Sequence, residues 1–152
     1  MGGPAIFPHV DEELLKALFR GIWRNHDDGP EVWRRSVYIY QKRALPFPML
    51  QVFDLPDQSQ SVGSRYVSTV PTQALTLMND DFVIRQAQLF ADRLTKVAGS
   101  DVAKQVDLAY RLVLTRPPSA RELSIATDMI QSASLVDFVN VMLNLDEFLY
   151  TR

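Results

Sequence analysis

Strong start and stop signals divide the second half of the sequence into helical segments, and these signals constrain the fold more than any other feature. Apolar residues recur every three or four positions over 82–94 until Gly99 interrupts the pattern, and Pro117–Pro118 ends a second such segment. Ser119 and Glu122 then have the spacing of a capping box, which marks the start of a further helix. Because each pattern places its apolar side chains on one face, the segments are predicted to pack as helices around a shared core.

The first half is less regular and carries mixed signals. A helix is predicted over 11–25, because an acidic cap precedes apolar residues at helical spacing. Residues 31–43 contain strand-favouring side chains, but Trp33, Val37 and Tyr40 share one helical face. We predict a helix there as well.

Residues 44–68 are predicted to form an extended arm that lies over the helices. Three prolines and a polar tip oppose any helix longer than about two turns. The segment also contains Phe47, Leu50 and Phe53, which make it too apolar for a free linker. The resulting expectation is an all-α fold, a single domain over 1–152 with about five to seven helices and one proline-rich arm.

The charge balance and the lack of cysteine exclude several classes of function. The 16 Lys and Arg residues against 18 Asp and Glu residues give a net charge of −2, whereas nonspecific nucleic-acid binding requires a basic face. Without cysteine the chain cannot form disulfides, bind zinc through thiolates or attach haem covalently. No apolar run approaches the roughly 18 residues of a membrane span. We therefore expect no nucleic-acid partner and no membrane span.

Two acidic residues in the arm are the candidates for catalysis. Asp54 and Asp57 form a carboxylate pair separated by the rigid Pro56, and such a pair would suit acid–base chemistry on a glycoside. The alternative is that Asp54 caps a turn or pairs with a buried arginine, and spacing alone does not separate the two. The two histidines, His9 and His26, lack partners at metal-ligand spacing, so no metal site is expected.

Basic residues are dense around the same arm. They are Arg34, Arg35, Lys42, Arg43 and Arg65. Guanidinium groups can clamp a carboxylate, sulfate or phosphate through paired hydrogen bonds, so this set is the candidate binding site. Alternatively, the same groups tie the arm to Asp54, Asp57 and backbone carbonyls. Nearby aromatic residues allow a sugar-stacking platform as an alternative to a buried core.

Several motifs resemble a known family in both order and spacing. They are residues 34–43, 53–57 and 69–75, with Gly2-Gly3-Pro4 before them and residues 77–80, 114–118 and 144–150 after them. Together they resemble the C-terminal part of the planctomycete cytochrome-C-associated domain, a domain of unknown function found in large exported proteins. The resemblance covers nearly the whole chain.

The resemblance implies a context rather than an activity, because the family has no established reaction. Its members resemble modular proteins in which a haem-binding cytochrome c segment lies upstream of this domain. An extracytoplasmic or periplasmic location is therefore implied, with an upstream domain of the same polypeptide or a cytochrome-like protein as partner. The chain is expected to be the C-terminal portion of a larger protein with no cofactor of its own, since it lacks Cys-X-X-Cys-His. A cysteine is common before the arginine that matches Arg65, and this chain has Ser61-Val62 there.

Two hypotheses about function follow. The first is a noncatalytic helical scaffold or interaction module of an extracytoplasmic multidomain protein associated with cytochrome c-type domains. The alternative is an enzyme or binding module that acts on an anionic or carbohydrate substrate through Asp54, Asp57 and the basic residues. A catalytic carboxylate must be open to a cleft, whereas a structural one is paired within the fold.

Overall fold

Helices account for about 60% of the residues that the structure describes. The structure is a computed structural model, and it describes residues 3–10, 12–18, 23, 25–26, 29–43, 45–57, 60–64, 68 and 71–150. In these ranges β-type pairing is confined to two isolated bridges, one between Ile6 and Ile39 and one between Lys42 and Leu45. The all-α prediction is confirmed.

Residue contacts group the chain into two compact units, 1–69 and 70–152. The single domain predicted over 1–152 stays a prediction. No helix in the described ranges is both long and apolar enough to cross a membrane.

The second unit consists of consecutive helices that begin close to the positions predicted from the sequence. They are α3 (Pro71–Asn79), α4 (Asp81–Ala98), α5 (Val102–Val113), α6 (Ala120–Ser132), α7 (Leu135–Leu143) and α8 (Asp146–Leu149). Helix α4 packs mainly against α7 and α5, and α6 packs against both α5 and α7. The side chains of Leu94, Val106, Val139 and Met142 are fully buried where these helices meet.

Side-chain caps explain where these helices begin. The carboxylates of Asp80 and Asp101 accept hydrogen bonds from backbone N–H groups in the first turns of α4 and α5. The predicted capping box is present at α6, where the Ser119 N–H donates to the Glu122 carboxylate at 2.7 Å and the Glu122 N–H donates to Ser119 Oγ at 3.3 Å. Helix α4 ends at Gly99, whose φ of 68° lies in the left-handed region that glycine tolerates.

The first unit contains helices α1 (Glu12–Leu18) and α2 (Pro48–Val52) and a small apolar cluster. The buried members of that cluster are Ile6, Val10, Trp23, Ile39 and Leu45. Two backbone hydrogen bonds join its segments: the Ile6 N–H donates to the Tyr38 carbonyl at 2.8 Å, and the Tyr40 N–H donates to the Ile6 carbonyl at 2.9 Å.

The first predicted helix, over 11–25, is shorter in the structure. Helix α1 covers seven residues, and neither Trp23 nor Asn25 is helical, while Asp11, 19–22 and Arg24 lie outside the described residues. The Asn25 side chain accepts a hydrogen bond from the Val10 N–H and donates one to the Val10 carbonyl, each at 2.9 Å. These long-range bonds connect Asn25 to the backbone of Val10, before α1.

The helix predicted over 31–43 is wrong. Only a 3-10 turn, Ser36–Tyr38, forms there, and Ile39 then pairs with Ile6. The strand-favouring side chains of this segment, including Ile39, are better accommodated by pairing with a distant segment than by one helical face.

In the described part of 44–68 the longest helix is the five-residue α2, which agrees with the predicted limit of about two turns, whereas the placement of the arm over the helices stays a prediction. Leu45 is 2% exposed, and Phe47 and Leu50 pack against the apolar cluster of the first unit. Phe53 is half-buried. The arm is therefore anchored by apolar contacts.

Candidate functional site

Asp54 follows Phe53, the residue after the end of α2, and its side chain joins two parts of the arm. Its Oδ2 accepts a hydrogen bond from the Ser68 N–H at 2.6 Å, and its Oδ1 accepts one from Ser68 Oγ at 2.8 Å. The backbone of Asp54 has a φ of 58°, a conformation that Asp tolerates better than most residues. The carboxylate therefore joins two segments that are 14 positions apart.

Asp57 has a different environment, because it is exposed whereas Asp54 is half-buried. A pair of catalytic carboxylates has two distinct roles that environment sets, one acid with a raised pKa and one ionised partner. Ser68 occupies acceptor positions on both oxygens of Asp54 that contact with a substrate would require.

Arg34 binds the N-terminal segment. Its Nη1 donates a hydrogen bond to the Pro4 carbonyl at 3.0 Å, and its guanidinium carbon lies 3.9 Å from the centre of the Tyr38 ring. Gly3 has a φ of 129°, and a Cβ at that position would lie 2.7 Å from Arg34 Nη2. Arg34 thus holds the N-terminal segment, which is not part of the arm, and the hypothesis that the basic residues tie the arm down stays a prediction.

The remaining basic candidates divide by exposure. Arg35 and Arg43 are exposed, and neither lies within ion-pair distance of a carboxylate in the described residues. Lys42 is half-buried, and Arg65 lies outside the described residues.

An open depression of about 450 Å³ lies beside Arg34. It is lined by Pro4, Ala5, Ile6, Asn25, His26, Glu31 and Arg34. The depression brings Arg34 together with one histidine and one acidic residue, and neither Asp54 nor Asp57 lines it. The described residues contain no group of three or more side chains arranged to hold a metal ion.

Aromatic side chains of the first unit pack against one another. Phe7 meets the buried Trp23 edge to face at 5.4 Å and stacks on Tyr40 at 5.0 Å between ring centres. Trp33 and Tyr38 are half-buried. These rings contribute to internal packing, as expected if the aromatic residues form a core and not a sugar-stacking platform.

The second unit contains a charged cluster that the sequence does not reveal. Arg116 Nε and Nη2 donate to the two oxygens of Glu147 at 2.7 and 2.8 Å. Arg116 Nη1 and Nη2 donate to Glu122 at 3.0 and 2.8 Å. We call these three residues the arginine clasp, because one guanidinium joins the N-terminus of α6 to α8 through two bidentate pairs.

Hydrogen bonding within the arginine clasp shifts its pKa values. The hydrogen bonds from Arg116, and secondarily those from Ser119, lower the pKa of Glu122 to about 2. The hydrogen bonds from Arg116 also lower the pKa of Glu147, and hydrogen bonds to both glutamates raise the pKa of Arg116. Both carboxylates are ionised at neutral pH, so neither can donate a proton as a general acid.

Comparison with protein families identifies the group to which the chain belongs. The family model described as PSD1, protein of unknown function (DUF1553), matches residues 1–130. The chain belongs to the PSD1 family. This is the planctomycete cytochrome-C-associated domain family that the sequence motifs resemble. No curated protein and no solved structure matches the chain significantly.

Several of the motifs that resemble the PSD1 family meet in the second unit. Arg116, from the 114–118 motif, binds Glu147 from the 144–150 motif, which lies beyond the matched range. The Tyr150 hydroxyl donates to Oε1 of the buried Gln73 at 3.4 Å, which connects the last motif to 69–75. In this PSD1 member the motif residues therefore bind one another.

Sequence reasoning missed the arginine clasp because its partners are far apart. The capping box identifies Glu122 from local spacing, but Arg116 and Glu147 are separated by 31 positions. One sequence feature could have indicated the arginine clasp: a basic residue and an acidic residue each lie inside a motif that resembles the PSD1 family.

Proposed function

We propose that this chain is a noncatalytic helical scaffold or interaction module of an extracytoplasmic multidomain protein associated with cytochrome c-type domains. The proposal includes an upstream domain of the same polypeptide, or a cytochrome-like protein, as the partner. The chain holds no cofactor of its own in this proposal. The family resemblance supports the location and the partner, and the lack of cysteine is consistent with haem being carried elsewhere.

The contact between Asp54 and Ser68 is the observation that carries the proposal. Asp54 is the better placed of the two catalytic candidates, being half-buried, and both of its oxygens accept hydrogen bonds from Ser68. A catalytic base needs lone pairs directed at substrate, whereas these are directed at the fold's own backbone and hydroxyl. The residue therefore suits a structural role.

The contacts among the motif residues give further support. Arg116 binds Glu147, and Tyr150 separately binds Gln73, and each pair joins distant segments of the second unit. A motif that serves catalysis would instead converge on a cleft and include an acid or base whose pKa lies near the operating pH.

The melting temperature of Asp54→Asn tests the proposal against the enzyme alternative. The amide keeps the shape of the side chain but loses the charge-assisted hydrogen bonds to Ser68, so the scaffold hypothesis expects a lower melting temperature. An enzyme holds a desolvated catalytic carboxylate at a cost in stability, so the alternative expects an unchanged or higher value.

The matched control is Asp92→Asn, because Asp92 is exposed on α4. Its effect on stability is expected to stay within about 0.5 kcal/mol. An Asp54→Asn protein that melts at the same temperature as the Asp92→Asn protein would contradict the scaffold role.

A further inference from the structure

The segment 32–53 has a local excess of positive charge. It contains Arg34, Arg35, Lys42 and Arg43 and no acidic residue, although the chain as a whole has a net charge of −2. We call residues 34–43 the basic turn. The positive charge is thus concentrated in this segment of the sequence, between Glu31 and Asp54.

The basic turn presents two of its cations to solvent. Arg34 is engaged with the Pro4 carbonyl and the Tyr38 ring. Arg35 and Arg43 are exposed, and no carboxylate in the described part of the chain lies within ion-pair distance of them. These two guanidinium groups are positioned to interact with an external anion.

An exposed apolar side chain lies between the two arginines in the sequence, on the same short segment. Val37 is 77% exposed, more than any other exposed large hydrophobic residue of the described chain. Its backbone is fixed, because the Tyr38 N–H donates to the Arg35 carbonyl at 2.9 Å and the Ile39 N–H donates to the Ser36 carbonyl at 3.0 Å. The apolar group is therefore presented on an ordered turn, which lowers the entropy cost of binding.

We propose that the basic turn docks an acidic segment of a protein partner. Carboxylates of that segment would bind Arg35 and Arg43, and an apolar side chain between them would cover Val37. Arginine is enriched in protein interfaces, and an exposed apolar side chain on the same ordered segment gives a partner apolar area to bury. The inference rests on the proposed function, since it names the chemistry by which the interaction module would recognise its partner.

A nucleic acid or another polyanion fits this surface less well. Phosphate contacts would use the arginines but would leave Val37 in water. An acidic peptide uses both the charges and the apolar group.

Fluorescence anisotropy with a defined probe tests the proposal. The probe is a fluorescein-labelled synthetic peptide in which a central leucine is flanked by glutamates, and its comparison peptide carries glutamines instead. We expect saturable binding of the glutamate peptide at low salt. Replacing Arg35 and Arg43 together by Glu should weaken this binding by about tenfold or more. Val37→Ser should weaken it by about threefold or more.

The matched control is the paired substitution of Arg93 and Lys96 by Glu, which makes the same charge change on exposed positions of α4. Its affinity for the peptide should stay within about twofold of the parent chain. Lack of binding by the parent chain, an equal loss in the control, or an unchanged affinity in Val37→Ser would each overturn the proposal. Failure here would not bear on the scaffold role, which the melting temperature of Asp54→Asn tests separately.

Discussion

Replacing Arg116 by Met removes the centre of the arginine clasp and has a measurable consequence for Glu122. The pKa of Glu122 is about 2, against an ordinary value of 4.5, and the hydrogen bond from Arg116 is the largest cause of the difference. Without Arg116 this pKa should rise most of the way to 4.5. It should stay below that value because Ser119 continues to donate its N–H to the same carboxylate.

The shift also predicts how stability depends on pH. A carboxylate whose folded pKa lies below its unfolded pKa stabilises the fold above pH 4.5, and this contribution is lost as the pH falls toward 2. The free energy of unfolding of the parent chain should therefore decrease across that window more steeply than that of Arg116→Met. Glu147 acts in the same direction, since Arg116 lowers its pKa too.

Carbon-13 NMR of the Glu122 side-chain carboxyl across an acid titration measures the pKa directly, and urea denaturation at several pH values measures the stability. Arg121→Met is the control, because Arg121 is the exposed neighbour of Glu122 on α6 and its loss should leave the pKa of Glu122 low. A Glu122 pKa that is the same in Arg116→Met and in the parent chain would refute the assignment of the shift to Arg116.

Two further substitutions test the packing of each unit. Leu94→Ala should lower the free energy of unfolding by about 2–5 kcal/mol in urea denaturation, because Leu94 is 0% exposed and its removal leaves a cavity within the second unit; a loss below about 1 kcal/mol would contradict this packing. Gly3→Ala should lower the free energy of unfolding by about 1 kcal/mol, because Gly3 has a φ of 129° and a Cβ there would contact Arg34. The control Gly63→Ala, which has open space around it, should be near neutral, and equal effects of the two substitutions would contradict the role given to Arg34.

The helices of the second unit could be predicted from the sequence because the interactions that set them are local. The capping box joins Ser119 to Glu122 within one turn, and Gly99 ends α4 through its own backbone conformation. The apolar periodicity of the same segments also identified most of the core. Both signals act over a few residues, so they are readable without knowledge of the fold.

Contacts between distant segments were decided only by the tertiary structure. Pairing of Ile39 with Ile6 replaces the helix predicted over 31–43. The Asp54 carboxylate binds Ser68, and the alternatives of a catalytic and a structural role were equally compatible with its spacing. Local propensity contributes fractions of a kcal/mol per residue, so a few long-range hydrogen bonds and buried side chains outweigh it wherever the two disagree.

The arginine clasp is likewise a set of contacts that could not be predicted from local sequence. Arg116 and Glu147 each lie in a recognisable motif, yet only the packing of α8 beside the start of α6 brings their charges together. Sequence spacing determines which groups share a helix face, whereas the packing of helices against one another determines which charges meet. The sequence by itself therefore determined the helices of the second unit and the family of this protein. The tertiary structure decided the elements of the first unit and which charged residues bind within the fold.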